Sequence, residues 1–215
     1  MPHGASHAAG DRDLILASAS PRRHRLLAEA GVSFRIVPAD VDETINLALD
    51  AGGVAEDLAL RKAQAVADRQ GSAGALVLGS DTVVVLGEDG DVDRRFLEKA
   101  PDAQEATRML QALSGTRHRV ITGIAVVDVE NGAALTDHEV TWVTMRPLDA
   151  GEVTAYVASG EWEGKAGAYA IQETADRFVT GLEGGGFDNV VGLPVERTLA
   201  LLRSVAGTID PGSGA

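Results

Sequence analysis

Residues 14–31, LILASASPRRHRLLAEAG, constrain the fold more than any other stretch, because an apolar run passes straight into a helix that opens with two arginines. Leu14, Ile15, Leu16 and Ala17 have the composition of a short buried strand, and Ser18, Ala19 and Ser20 interrupt it. Ser20 suits the N-cap and Pro21 the first helical position. Leu26, Leu27 and Ala30 then share one face until Gly31 supplies the stop. Arg22 and Arg23 therefore sit at the helix opening, where unpaired N–H groups and the positive end of the helix dipole attract anions. Two guanidinium forks there can each grip phosphate oxygens in pairs. The competing reading is a solvated surface turn. Against it, basic side chains at this end cost roughly 0.3 to 1 kcal/mol each, a cost that an anionic ligand or nearby carboxylates would offset.

The 215 residues, 45% of them hydrophobic, suffice for one large domain or two lobes sharing a cleft. No apolar run approaches the roughly 20 residues of a membrane span, and the N-terminal MPHGASHAAGDRD lacks the apolar core of a signal peptide, so the expectation is a soluble cytoplasmic protein with no membrane partner. The absence of cysteine excludes disulfides, thiolate metal sites and a cysteine nucleophile, leaving hard cations such as magnesium or manganese. A net charge of −13, from 19 basic and 32 acidic residues, argues against a nucleic-acid footprint, and an aromatic content of 4% argues against a stacking platform for a single strand. The five histidines, His3, His7, His24, His118 and His138, lack metal-ligand spacing; His118 reads as support for a strand start and His24 as an exposed helix turn. Trp142 reads as a sheet-face residue and Trp162 as loop packing, with base stacking as the alternative for each.

Loose tails are expected over residues 1–12 and 207–215, with a single α/β domain over 13–206. Phe34–Pro38 reads as a short strand. A helix follows from about Val54 to Asp68, with Ala55, Leu58, Ala59, Ala63, Val66 and Ala67 on its apolar stripe. Lys62 intrudes on that stripe and must snorkel or meet an anion. ALVLGSDTVVVLG reads as two strands hinged at Gly79-Ser80-Asp81, with Asp81 at the hinge. A carboxylate there is paired, metal-bound, protonated or solvent-facing in a cleft, unless it simply bonds its own turn. Asp102 with Glu105, and Asp149 with Glu152, give capping-box starts for two further helices. HRVITGIAVVDV and HEVTWVTM read as antiparallel neighbours, Arg177–Leu182 as a strand, and Gly192-Leu193-Pro194 as the lead into a final helix. EWEGKAGAYAIQ reads as a ligand-lining loop, and LGEDGDVDRRFLEK as an insertion that acts as a lid or stays disordered.

In order, SASPRR, VDET, RKA, GSDTVV, LEKAPD, LSGTRHRVITG, KAGAYAIQ and NVVGLP resemble the Maf-like nucleoside triphosphate pyrophosphatases from about Leu14 to Leu202. The resemblance implies an α/β fold with a curved mixed β-sheet flanked by helices, two lobes around a cleft, and a homodimer. It also implies hydrolysis of a nucleoside triphosphate to the monophosphate and pyrophosphate with a divalent cation, magnesium or manganese. Residue by residue, it puts phosphate binding on Ser18, Ser20, Arg22, Arg23, Lys62, Lys99 and Lys165, and the proton acceptor on Asp81. It puts metal contacts on Glu43 and Asp81. The selectivity positions fall on Arg23, Thr82 and Gln172, the pattern of the branch acting on dTTP and UTP; the 7-methyl-GTP branch carries tryptophan after the proline, where Arg22 stands, and glutamate where Gln172 stands.

Three positions depart from the family pattern: Ala100 for a proline, Gly164 for an aspartate and Ala170 for a glycine. Ala170 is expected to narrow the base pocket, and Gly164 removes a carboxylate beside Lys165. The expected function is nucleotide-pool sanitation on dTTP, UTP and modified pyrimidine nucleotides, with a link to cell-division arrest. The alternatives are a pyrophosphatase for ITP or XTP, and a regulator that binds nucleotide without cutting it.

Overall fold

The computed structural model describes Ala9 and residues 12–70, 74–172 and 174–207. The expected tails thus lie mostly outside the described residues. Arg12, counted with the first of them, is tied to the sheet through both its terminal nitrogens on Asp128, with Nη1 donating to Oδ2 at 2.9 Å.

One seven-stranded mixed sheet organises the chain: β1 Asp13–Leu16, β2 Arg35–Ile36, β3 Ala75–Leu86, β4 Arg95–Leu97, β5 Arg117–Asp128, β6 Ala134–Met145 and β7 Val179–Glu183. The strand order is β2-β1-β3-β5-β6-β7, with β4 also on β3. β1 runs parallel to β2 and β3, and every other pairing is antiparallel, including the expected pairing of β5 with β6. The helices are α1 Pro21–Glu29, α2 Ala51–Ala67, α3 Ala103–Leu113, α4 Ala150–Ser159, α5 Phe187–Val191 and α6 Val195–Gly207.

Side-chain alternation along β3 and β5 assigns the helices to faces. Val77, Val83, Val85, Ile121, Ala125 and Val127 pack against α2, whose apolar stripe is the one expected. On the opposite face, Leu76, Leu78, Ile124 and Val126 pack with Leu27 of α1 and Leu202 and Val205 of α6. Farther along that same face Val84 and Val120 join a separate cluster with Leu110 and Leu113 of α3 and Tyr156 of α4. Between the two clusters β3 carries Ser80 and Thr82, and β5 carries Thr122. This polar band divides the interior of the face in two.

Several expectations change. β3 is one continuous twelve-residue strand and not two strands hinged at Asp81. Gly79 serves the close approach of a helix: a Cβ there would stand 2.1 Å from the Ala59 carbonyl oxygen, and one at Gly123 would stand 2.2 Å from Ala55 backbone atoms. Ser20 occupies the N-cap of α1, yet its side chain makes no capping bond. α2 starts three residues early because Asp50 accepts from the Gly53 N–H. Asp102 caps α3 through the Glu105 N–H, but the Glu105 carboxylate turns to Arg108, so the box is half made; that of α4 is complete. β7 begins at Val179, because residues Thr174–Phe178 form a 3-10 turn, and the short α5 carried no periodic signal. The insertion is neither lid nor disordered segment. It is a hairpin linking β3 to β4, fastened by Asp89, which pairs with Arg94 at 2.9 Å and Arg119 at 2.6 Å and accepts from the Ala51 N–H.

Candidate active site

β1 pairs with β3 only as far as Leu78, where the Ala17 N–H donates to the Leu78 carbonyl, and β4 takes up pairing only at Val84. Residues 79–83 of β3 therefore have strand β5 on one side and no strand on the other. A cavity of 460 Å³ opens at this free edge. One wall is the segment from Ala17 to Arg23, the other runs from Glu163 to Gln172, and Lys62, Asp81 and Thr82 form the floor. A Lys99–Ala166 bridge ties the second wall to the end of β4.

On the α2 face of the floor, Lys62 is buried and its ammonium donates to both Asp81 Oδ1 and Glu43 Oε1, the latter at 2.7 Å. The apolar-stripe lysine has thus met anions. Lys99 donates to the other oxygen of Glu43 at 2.9 Å. Partial burial opposes ionisation of Glu43, but the hydrogen bonds and attraction of Lys62 and Lys99 outweigh it and bring its pKa to about 2. A lone carboxylate at Asp81 would cost several kcal/mol; the Lys62 contact is what makes it tolerable on a sheet face.

On the other face hydroxyls and backbone carbonyls surround one guanidinium. The Arg23 guanidinium donates through Nε to the Gly192 carbonyl at 2.8 Å, through Nη2 to Thr82 Oγ1 at 3.0 Å and through Nη1 to Ser18 Oγ at 3.4 Å. Burial lowers its pKa and repulsion from Arg22 adds to that, while the Asp81 and Glu43 charges pull the other way. Thr82 Oγ1 lies 3.0 Å from Thr122 Oγ1, and Thr122 donates to the Asn189 carbonyl at 2.8 Å. Arg22, by contrast, has no hydrogen-bond or ion-pair partner among the described residues and lines the cavity. The first turn of α1 holds no acidic residue, so the charges that favour Arg23 at the positive end of the dipole, Asp81 and Glu43, come from outside the helix.

The second wall is held by several clamps. The Gly167 N–H donates to the Leu97 carbonyl at 2.9 Å, and the Ala170 N–H to the Tyr156 hydroxyl at 3.3 Å. Tyr169 Oη lies 2.8 Å from His118 Nε2. Burial pushes the His118 pKa down to about 4 and raises that of Tyr169 well above the usual phenol range. Lys165 is buried, lines the cavity and donates to the Glu161 carbonyl. Between these contacts Ala168 sits at φ 59°, a left-handed conformation unfavourable for alanine, which the surrounding clamps impose.

Glu43 and Asp81 converge on one ammonium and present hard oxygen donors, the chemistry that magnesium or manganese takes. No group of three His, Asp or Glu ligands occurs among the described residues. A cation here would rest on two carboxylates, with phosphate oxygens and water completing its shell, a common arrangement for magnesium at phosphate sites.

Every residue singled out from the sequence, namely Ser18, Ser20, Arg22, Arg23, Glu43, Lys62, Asp81, Thr82, Lys99, Lys165 and Gln172, lines this one cavity. Sequence reasoning missed Thr122, Asn189 and the His118–Tyr169 pair. Two threonines at registered positions of adjacent strands carried the only available signal, and it requires the register to be seen. Trp142 lies on the sheet beneath Arg117, and Trp162 packs its loop by donating to the Val157 carbonyl at 3.0 Å, as expected of each. No helix among the described residues is long and apolar enough to cross a membrane.

A family model described as Maf-like protein matches residues 13–205. A dTTP/UTP pyrophosphatase of Pelotomaculum thermopropionicum is 47% identical over 192 residues, covering 89% of this chain and 96% of that protein. A protein of the same name from Rhodospirillum rubrum is 47% identical over 215 residues, covering 97% and 96%. Another, from Hyphomonas neptunium, is 45% identical over 197 residues, covering 91% and 97%.

Proposed function

The chain belongs to the Maf-like protein family, and from that premise we propose that it hydrolyses dTTP and UTP to the nucleoside monophosphate and pyrophosphate. The observation that carries the reading is the pairing of Asp81 with Lys62 at the floor of a cavity whose rim holds Arg22, Lys99 and Lys165. Cations around a carboxylate at a free strand edge suit a polyanion that must be bound and then attacked by water.

In this mechanism Ser20, Arg22, Lys99 and Lys165 hold the triphosphate, and fixed positive groups in a water-poor cleft stabilise the charge that develops on the leaving pyrophosphate. Asp81 accepts the proton of the attacking water, and Lys62 orients its carboxylate. Glu43 and Asp81 would hold a magnesium or manganese ion, which would add to the neutralisation of the phosphate oxygens. Arg23, with its fork on Gly192, Thr82 and Ser18, builds the pocket, while Gln172 and the backbone beside Ala170 line the nucleoside end. Modified pyrimidine nucleotides that keep the same base edge fit the same reading.

A panel measuring pyrophosphate release from dTTP, UTP, ITP and XTP with magnesium or manganese tests the proposal. Turnover of dTTP and UTP well above the purines is expected. ITP or XTP far above both pyrimidines overturns the substrate assignment, and nucleotide binding without release of monophosphate overturns the enzyme reading.

A further inference from the structure

We infer that Thr122 and Asn189, neither of which lines the cavity, are positioning residues that make the pocket floor selective for a base edge offering an N–H. The inference deepens the proposed pyrimidine nucleoside triphosphate pyrophosphatase activity and rests on it. Its class of ligand is a pyrimidine with an imide N3–H, as in uracil and thymine, in preference to cytosine, whose N3 is an acceptor.

The number of hydroxyl hydrogens fixes the polarity of the relay. The Asn189 carbonyl can only accept, so Thr122, 2.8 Å away, spends its single hydroxyl hydrogen on it. Between Thr122 and Thr82, 3.0 Å apart, Thr122 is therefore the acceptor and Thr82 the donor. Thr82 then has no hydrogen left, and one of its lone pairs already receives Arg23 Nη2. What remains toward the cavity is a single lone pair. A phosphate oxygen would be repelled by it, whereas a ring N–H is satisfied by it.

The relay is held from outside the cavity. Thr82 and Thr122 are directly opposed in the β3–β5 register, so their side chains share a face. Asn189 fixes α5 against the sheet by donating from Nδ2 to the Val120 carbonyl at 3.1 Å and to Thr141 Oγ1 at 2.8 Å. That docking aims two carbonyls at the floor: Asn189 O at Thr122, and Gly192 O at Arg23 Nε and the Ser80 hydroxyl. Gly192 leaves little room, since a Cβ there would meet Thr82 Oγ1 at 3.3 Å and Arg23 Nε at 3.4 Å. Polarity at the floor is thus dictated by a backbone carbonyl of a five-residue helix.

The test is the ratio of kcat/KM for UTP to that for CTP in wild type, Thr122→Val and Thr122→Ser. Thr122→Val keeps the shape and removes the acceptor, which frees the Thr82 hydrogen to turn toward the cavity. The ratio is expected to fall about tenfold, with Thr122→Ser restoring it. A folded Thr122→Val protein with the wild-type ratio overturns the inference, as does an equal loss on both nucleotides, which marks a merely structural role. Should Thr122→Val not fold, Thr122→Ala, which also removes the acceptor, gives the reading instead: a lowered ratio supports the inference, and an unchanged ratio overturns it. Wild type that cleaves UTP without preferring it to CTP overturns the inference alone; wild type that releases no pyrophosphate from either overturns the functional reading with it.

Discussion

Asp81 and Thr82 are neighbours in sequence, yet their side chains leave β3 on opposite faces and enter opposite kinds of chemistry. Asp81 faces α2 and is held by charge, through Lys62, Glu43 and Lys99. Thr82 faces α5 and is held by hydrogen bonds with Arg23 and with Thr122, which itself donates to the Asn189 carbonyl. A strand edge without a partner lets both faces reach the same cavity. The lesson is a division of labour built on strand alternation: the charged face suits phosphate and proton transfer, and the Thr82 face suits discrimination among bases.

The two faces should differ most at Asp81. Asp81→Asn should cut kcat by about 10²- to 10⁴-fold with little change in KM, measured by steady-state release of pyrophosphate on protein of wild-type circular dichroism. A similar loss from Thr82→Ala would erase the distinction between the faces.

Acid should then separate them. His118, on the Thr82 face, has a folded pKa near 4 against an ordinary 6.5, so the unfolded chain takes up the proton first as pH falls. Its contribution to stability is complete above pH 6.5 and is lost between 6.5 and 4, an effect of about 2–3 kcal/mol by pH 4.5. Urea midpoints at pH 7.5 and 4.5 should show that loss, and His118→Gln should remove it. Glu43, on the charged face with a pKa of about 2, keeps its contribution until pH falls below 4.5 and loses it toward 2. Glu43→Gln should therefore flatten stability only at the lower window, a smaller change because the side chain is half-exposed.

Gly79→Ala should disturb the charged face alone, through packing. Its Cβ would overlap the Ala59 carbonyl, so α2 must retreat, at roughly 1–3 kcal/mol, and Lys62 must retreat with it. Thermal melts should register the cost, and kcat should fall while the ratio of UTP to CTP activity stays at the wild-type value.

Most of the fold was legible because amphipathic stripes and caps are local. The buried faces of α2, α3 and α4 follow from spacing, and the strand feeding α1 follows from a four-residue apolar run. Gly79 misled because a glycine within an apolar run reads as a break, while its use, room for a helix backbone, depends on a segment sixteen or more residues away. The same non-locality hid which anions the stripe lysine Lys62 meets, because Glu43 and Asp81 come to it only when α2 packs on β3. Arg22 and Arg23 look equivalent as adjacent letters. One residue step along the helix turns their side chains about 100° apart, which sends Arg23 into the hydrogen-bond network of Thr82 and Gly192 and leaves Arg22 facing the cavity.

On the proposed reading a triphosphate lies across the free edge of β3 and is cut between its α and β phosphates by water that Asp81 deprotonates. The identity of the products from UTP in the presence of magnesium bears on it most directly. Equal amounts of UMP and pyrophosphate are expected from wild type, and the same products far more slowly from Asp81→Asn. UDP with orthophosphate, or an Asp81→Asn protein that works at the wild-type rate, would contradict it.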